Sequence, residues 1–543
     1  MKIRLRKPEL PQMAVGLVSG LMLFLAFDPA AIAPLAWVAA VPLLWLAAQH
    51  PVKALWAGYI AGAVFFLGGL AWVGHATAAG AILLGLFLGL YVMSFAWAAG
   101  AIKQRLRMPL AIAAPLAWVT LEAIRSNFMT GFPYLLLGHS QIGNLRLMQI
   151  IDVTGVYGVS FIVMCVNGLI ADFFFVPKGR VPRQAMISAG VVAVLIGGAV
   201  LYGHLRIKWL NTQPGPEVAI VQANIPQEIK NEYTLDEARK ALVKHQNLTS
   251  ECMRHAENRL NPELPPPLVI WPETALPGIY NHPDNWVIEY RASLDSQMMG
   301  KLGVRKMLLG AIMKDGDGEQ RDIRNSALLL HGQASEPERY DKMHLVPFGE
   351  YIPLRGLLPF MKTVVPIDVP FSSGSEYKLF EHEGHKFGVV ICYEDVFPGL
   401  VRKFVAKGAV FIVNISNEGW FFKSAEADQH LAIARCRAIE NRVGLVRGTN
   451  SGISCLIDPA GRIEKVIERD GERKLVEGWL TGRVTLGEGG AVYTRIGDTF
   501  ALVCIAATIA AGIAAVVTAR RELAALPKPR NIQGRGGSSR RKR

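Results

Sequence analysis

The chain has 543 residues, a hydrophobic fraction of 51% and a formal net charge of +14, and that length gives room for more than one domain. A mean hydropathy of +0.27 conceals a division, because residues 11 to about 203 are apolar with few charges whereas 215–495 have the mixed composition of a globular domain. The basic excess flanks apolar segments, with Lys2, Arg4, Arg6 and Lys7 at the start and Arg540, Arg541, Lys542 and Arg543 at the end; charge so placed fits membrane topology and anionic lipid, and argues against a nucleic-acid binder.

Eight stretches approach the roughly twenty apolar residues that a spanning helix needs: 11–27, 31–49, 54–75, 78–101, 108–124, 154–175, 185–204 and 497–519. Glycines four apart recur in them (Gly16/Gly20, Gly58/Gly62, Gly85/Gly89), a spacing that lets helices approach closely. With the N-terminus in the cytoplasm, the inside loops hold Lys53, then Lys103, Arg105 and Arg107, then Lys178, Arg180 and Arg183, then Arg520 and Arg521. The outside loops near 28–31 and 76–78 carry no Lys or Arg, as the positive-inside rule requires. Residues 1–204 therefore read as seven spans, 205–496 as an exported globular domain, 497–519 as an eighth span and 520–543 as a basic cytoplasmic tail. In a two-membrane cell that places the chain in the inner membrane with the globular domain in the periplasm. The 125–153 stretch is too polar and Gly-rich to span; it reads as a re-entrant or surface loop, or as a wall of a lipid-entry site.

The globular part alternates strand-like runs (218–225, 268–275, 307–313, 326–331, 387–395 and 409–416) with helix-like stretches at 234–259 and 424–442. That alternation implies an α/β layered fold. Three segments end or follow a buried run with a reactive side chain: IWPETALP with Glu273, YDKMHLVPFGEYIP with Lys342 and Glu350, and VVICYEDV with Cys392, Tyr393 and Glu394. A carboxylate can take the thiol proton, the thiolate can attack, and an ammonium can hold an oxyanion. Cys165 and Cys504 lie in apolar segments, and Cys252, Cys436 and Cys455 lack such neighbours; no Cys/His set has zinc spacing, so no metal is expected.

Together with VQANIPQ (221–227), KMHLVPFGEYIPL (342–354), SNEGWF (416–421) and RGTNSGIS (447–454), these segments resemble the apolipoprotein N-acyltransferase family, which carries a nitrilase-superfamily domain inserted in a membrane protein. The resemblance covers nearly the whole chain. It implies an αββα sandwich, with Glu273 as general base, Cys392 as nucleophile and Lys342 as transition-state stabiliser. Glu350 would orient the lysine or assist the base, and Tyr393 and Glu394 would shape the acyl-enzyme site. The cycle it implies moves an acyl group from a phospholipid, phosphatidylethanolamine by the family's habit, through a Cys392 thioester to the N-terminal amine of a diacylglyceryl-cysteine apolipoprotein. No cofactor is implied, and a monomer is expected. Family members often carry a Trp after the NIPQ segment; here EIKNEYTLD has none, and Tyr233 is the candidate replacement. Trp420 and Phe421, beside Gly419, are further candidates for acyl-chain contact, and the apolar, Pro-broken stretch 357–371 reads as a lid or arm towards lipid. Two other readings remain open at this stage: a tethered nitrilase-type amidase for a small amide, and a membrane receptor or transporter with a catalytically dead domain. Against the last, the spans offer little intramembrane charge beyond Asp172.

Overall fold

The computed structural model describes residues 9–175, 183–231, 234–259, 266–316, 322–331, 336–352 and 370–524. All eight apolar stretches contain helix. Five helices among the described residues are long and apolar enough to cross a membrane: Pro51–Gly69, Ala78–Leu106, Val156–Phe173, Arg183–Lys208 and Thr499–Glu522. The apolar Leu10–Leu25 and Ala33–Gln49 stretches are shorter. Leu110–Asn127 has 18 residues but carries Pro115, and buries Glu122 and Arg125.

Small residues set the helix spacing. A Cβ on Gly16 or Gly20 would stand 2.6 Å from the carbonyl oxygen of Ala57 or Ala61, and one on Gly62 would stand 2.7 Å from the Cα of Gly89. Backbones this close leave room for hydrogen only, which is how helices gain dispersion contact without a hydrophobic drive from lipid. Asp172 is paired to Lys103 at 2.6 Å and also accepts the Ala111 N–H at 3.1 Å, so it serves helix packing.

Every named strand lies between Gln213 and Leu486. One sheet has the order β12-β1-β2-β3-β4-β5 and the other β11-β10-β9-β8-β7-β6. In the first these are β1 (Gln213–Gln222), β2 (Leu268–Ile270), β3 (Lys306–Asp315), β4 (Asp322–His331), β5 (Glu338–Asp341) and β12 (Gly478–Leu486). The second has β6 (Leu379–His382), β7 (His385–Ile391), β8 (Phe411–Ser416), β9 (Gly444–Thr449), β10 (Cys455–Ile457) and β11 (Ile463–Val466). Each sheet is parallel at its centre (β1-β2-β3 and β7-β8-β9) and antiparallel at its edges.

The period-2 alternation of strands builds the layers. Val218 and Ile220 of β1 point into a core shared with Val389, Ile391 and Val413 of the other sheet. Ala219 and Val221 point the opposite way, onto Leu242, Cys252 and Met253 of the Leu235–Arg259 helix. Helices Pro398–Ala406 and Glu426–Asn441 cover the second sheet. The result is the expected four-layer α-β-β-α arrangement.

Most of the 125–153 stretch is no exposed loop, although Phe128 and Met129 are exposed. Leu135, Leu136, Leu137, His139, Gln149 and Asp152 are buried, packed between membrane-type helices and the Glu426–Asn441 helix. Arg442 closes that seam: its guanidinium donates to Asp152 Oδ2 at 2.7 and 2.9 Å and to the Gln149 carbonyl at 3.1 Å. Tyr233, most of the 357–371 stretch and the basic tail from residue 525 on lie outside the described residues.

Candidate active site

β2 ends at Ile270, but the chain keeps the company of β3: the Trp271 N–H donates to the Leu308 carbonyl at 2.9 Å, and the Ala275 N–H to that of Gly310 at 3.0 Å. This hugging needs Gly310, where a Cβ would stand 2.5 Å from the Cα of Glu273. Thr274 takes φ +44°, a genuine outlier for a β-branched residue and one often stored at functional sites. The turn aims Glu273 into the space between the sheets' ends.

Lys342 follows β5 and is 1% exposed. Its Nζ donates to Glu350 Oε1 at 2.9 Å and to Glu273 Oε1 at 3.4 Å. Burial alone would lower the pKa of this ammonium; Glu350 and Glu273 outweigh burial and hold it above the ordinary lysine value, so it stays charged. The second oxygen of Glu350 accepts the Val346 N–H at 2.7 Å, and the second oxygen of Glu273 accepts the Asn417 N–H at 2.9 Å. Asn325 on β4 ties the carboxylates together, donating through Nδ2 to Glu273 at 2.7 Å and Glu350 at 3.1 Å. Sequence reasoning missed Asn325: a lone Asn in a strand carries no signal until its neighbours across space are known.

Cys392 stands at the turn from β7 into the helical turn Cys392–Val396, with φ +52°. Strained strand-to-helix turns of this kind push a nucleophile out of the sheet. Its carbonyl accepts from Asn414 Nδ2 at 3.2 Å. The thiol feels Glu273 and Lys342 directly: burial pushes it well above the usual thiol value, Glu273 pushes the same way and Lys342 opposes them. The resting sulfur is therefore a thiol, and its proton must leave as the sulfur attacks.

Glu394 lies at the base of the turn with no exposure. Its carboxyl accepts the Ile391 N–H at 2.8 Å, the Met343 N–H at 2.7 Å, the His344 N–H at 3.1 Å and the Tyr340 hydroxyl at 2.8 Å. It staples the Lys342 loop to the Cys392 turn. Burial pushes it up to about 7 against those donors. Tyr393 faces the membrane part: its hydroxyl donates to the Gly131 carbonyl at 3.2 Å and its ring lies 6.2 Å from Tyr134, nearly parallel. His344 packs on Phe397 at 3.7 Å, and burial lowers it to about 4, so it is neutral. Lys230, also unforeseen, donates to the Glu273 carbonyl at 3.3 Å and is lowered by burial to about 7.

The aromatic candidates separate. Phe421 packs edge-on against Trp72 of the membrane part at 4.8 Å, whereas Trp420 is 44% exposed. Glu418, Glu426 and His430 bring one ligand atom each within 4.8 Å, a spacing an ion would accept. Arg447 already pairs with Glu418 there, and His430 sits 2.5 Å from Asp395, so cations of the chain itself meet these carboxylates.

Two family models match: the apolipoprotein N-acyltransferase N-terminal domain over residues 19–169 and carbon-nitrogen hydrolase over 217–477. The apolipoprotein N-acyltransferase of Geobacter metallireducens is 33% identical, covering 96% of this chain and 99% of its own length. That of Methylococcus capsulatus is 31% identical over 94% and 96%, and that of Pseudomonas aeruginosa 30% over 90% and 93%. Among solved structures, an amidase of the nitrilase superfamily from Nesterenkonia is 17% identical with a TM-score of 0.36, covering 53% of this chain and 95% of its own. Nit3 of Saccharomyces cerevisiae is 18% identical with a TM-score of 0.35, covering 53% and 96%. Likeness across the full length to several such enzymes, over both the helical region and the α/β region, means that the chain belongs to the apolipoprotein N-acyltransferase family.

Proposed function

We propose that this enzyme transfers a fatty acyl group from a membrane phospholipid to the N-terminal amine of a diacylglyceryl-cysteine lipoprotein, with Cys392 as the carrier. The observation that carries the reading is the convergence of Glu273, Lys342 and Cys392, from three distant segments, beside a tyrosine that reaches the membrane part.

Glu273 takes the Cys392 proton as the sulfur attacks an ester carbonyl of the donor, phosphatidylethanolamine by the family's habit. The carbonyl oxygen becomes an oxyanion, which Lys342 stabilises together with backbone N–H groups. Collapse expels the lysophospholipid alkoxide, which takes the proton held by Glu273, and leaves a thioester. The acceptor amine then attacks the thioester, Glu273 takes an amine proton, and the sulfur leaves and is reprotonated as the amide forms. Division into two steps lowers each barrier. Asn325 and Glu350 hold Glu273 and Lys342 in register throughout.

The membrane part explains why a nitrilase-type site serves lipids. Each acyl CH₂ costs about 0.8 kcal/mol to expose to water, so both substrates must enter from the bilayer. The reading includes eight spans, seven of them within 1–204 and one at 497–519, a periplasmic domain at 205–496 and a cytoplasmic tail at 520–543 in the inner membrane. Supporting it are helices in all eight stretches and the distribution of Lys and Arg. The test is mass spectrometry of purified protein given phosphatidylethanolamine: an acyl mass on Cys392, released by a diacylglyceryl-cysteine peptide, is expected. A protein that gains no acyl mass but hydrolyses small amides is instead a tethered amidase.

A further inference from the structure

A cavity of about 210 Å³, with apolar walls and a few polar groups, opens where the turn after the Leu10–Leu25 helix, the turn Leu137–Gln141 and the Glu426–Asn441 helix meet. Asp28, Ala33, His139, Ser140, Gln429 and Arg435 line it, and none of Glu273, Lys342 or Cys392 does. Gln429 forms a wall with its hydrogen bonds already made: Oε1 accepts from Trp72 at 3.0 Å, and Nε2 donates to the Gly69 and Asp28 carbonyls at 2.9 and 3.2 Å.

Three groups on the remaining walls have unused capacity. His139 is 6% exposed, and both of its ring nitrogens are buried with no partner. A neutral imidazole offers one donor and one acceptor, and buried polar groups left unmade are rare. Arg435 spends its Nε–H on the Gly461 carbonyl at 2.8 Å, leaving its terminal N–H groups for a ligand. Among the described residues, neither Arg435 nor the Asp28 carboxylate forms an ion pair; the nearby Lys474 is taken by Asp428 at 2.6 Å.

An anion and a cation on the walls of one cavity, unpaired with each other, together with a neutral donor-acceptor, complement a zwitterion. Free phosphate would answer Arg435 and be repelled by Asp28. A divalent cation would do the reverse. Water would satisfy His139 but would give neither Asp28 nor Arg435 a counter-ion within the cavity. The cavity lies at the end of membrane-type helices, and Leu17, Leu21 and Ile32 in the adjoining stretch are exposed, an apolar surface on which acyl chains can lie. We propose that this cavity holds the zwitterionic head group of a resident phospholipid, with its phosphate on Arg435 and its ammonium on Asp28, separate from the acyl donor. Such a lipid would cement the contact between the membrane part and the helix behind the Cys392 turn.

The experiment is native mass spectrometry of the delipidated full-length protein in detergent, titrated with phosphatidylethanolamine, phosphatidylglycerol or inorganic phosphate. Wild type is expected to retain phosphatidylethanolamine at least tenfold more tightly than either competitor. Asp28→Asn and Arg435→Gln should each weaken that retention about tenfold, while their initial rate of Cys392 thioester formation stays within twofold of wild type. Equal retention by the variants overturns the proposal. So does a wild type that holds phosphatidylglycerol or phosphate as tightly, a ranking that can be read even if a variant fails to fold. Thioester formation falling in step with retention would make the cavity the donor site, and that too overturns a resident lipid.

Discussion

Two buried charge clusters flank the Cys392 turn, and they are closed differently. Around Lys342, one ammonium faces two carboxylates, those of Glu273 and Glu350, with Asn325 bridging them. The cluster has acceptor capacity to spare, and it points at the thiol. Around His430, the carboxylates of Asp395, Glu418 and Glu426 meet the cations of Arg447 and His430. Burial and Arg447 both push His430 down, but Asp395 and Glu418 hold it well above the ordinary histidine value, so it stays charged. This second cluster also has one more carboxylate than cations, and Glu418 Oε2 and Glu426 Oε2 are buried without a hydrogen-bond partner. Its link to the membrane part is Tyr134, whose hydroxyl donates to Glu426 at 3.2 Å. Both clusters offset the desolvation of charge by pairing. The first acts on the Cys392 thiol through both Glu273 and Lys342, ahead of Glu426 of the second, and under the proposed function that makes the first the catalytic cluster and the second a docking device.

The sharpest test of the contrast is Cys392→Ala. It should remove the acyl-enzyme mass and lower turnover by about 10⁴-fold or more while leaving the melting temperature near wild type, as intact mass and calorimetry can show. Retained turnover would sink the first cluster's role. Lys342→Met comes next. Loss of the oxyanion donor should cost about 10²–10³ in kcat, and two carboxylates left facing each other without a cation should destabilise the fold by roughly 3–5 kcal/mol. A variant with normal burst kinetics would be incompatible with the assignment.

Arg447→Met should produce the complementary pattern. Removing one partner of a buried pair costs roughly 3–5 kcal/mol, seen in denaturant unfolding, yet the fraction that remains folded should form thioester at close to the normal rate. If chemistry collapses while stability holds, the two clusters are not distinct. Asn325→Ala strips one bond from each carboxylate and should cost about 1–3 kcal/mol, expressed as a fall in thioester formation of roughly five- to 150-fold. Tyr134→Phe removes one hydrogen bond between the regions; about 1 kcal/mol of stability is expected to go, and a loss as large as that from Arg447→Met would mean that the second cluster depends on the membrane part.

Much of this was legible in the chain because the signals are local. Apolar runs report membrane-type helices without reference to partners, and five helices among the described residues meet full length and apolarity. Charges such as Glu122 and Arg125, buried by neighbouring helices, blur the run at 108–124. Strands with a continuous apolar run, such as β3 and β7, were readable. β9 was not, because Arg447 and Thr449 are polar and yet wholly buried, and β10 has three residues.

By itself the sequence determined the division into an apolar and a mixed region, the α/β class, and the three segments bearing Glu273, Lys342 and Cys392, since each is written in a short contiguous pattern. The tertiary structure alone decided that Asn325 joins two carboxylates, that Glu394 staples two loops, that most of 125–153 is packed inside a seam, and that Asp28, His139 and Arg435 share a cavity. Those are contacts between residues tens to hundreds of positions apart. A side chain's identity does not reveal its partner until the backbone has folded to bring them within a hydrogen bond's reach.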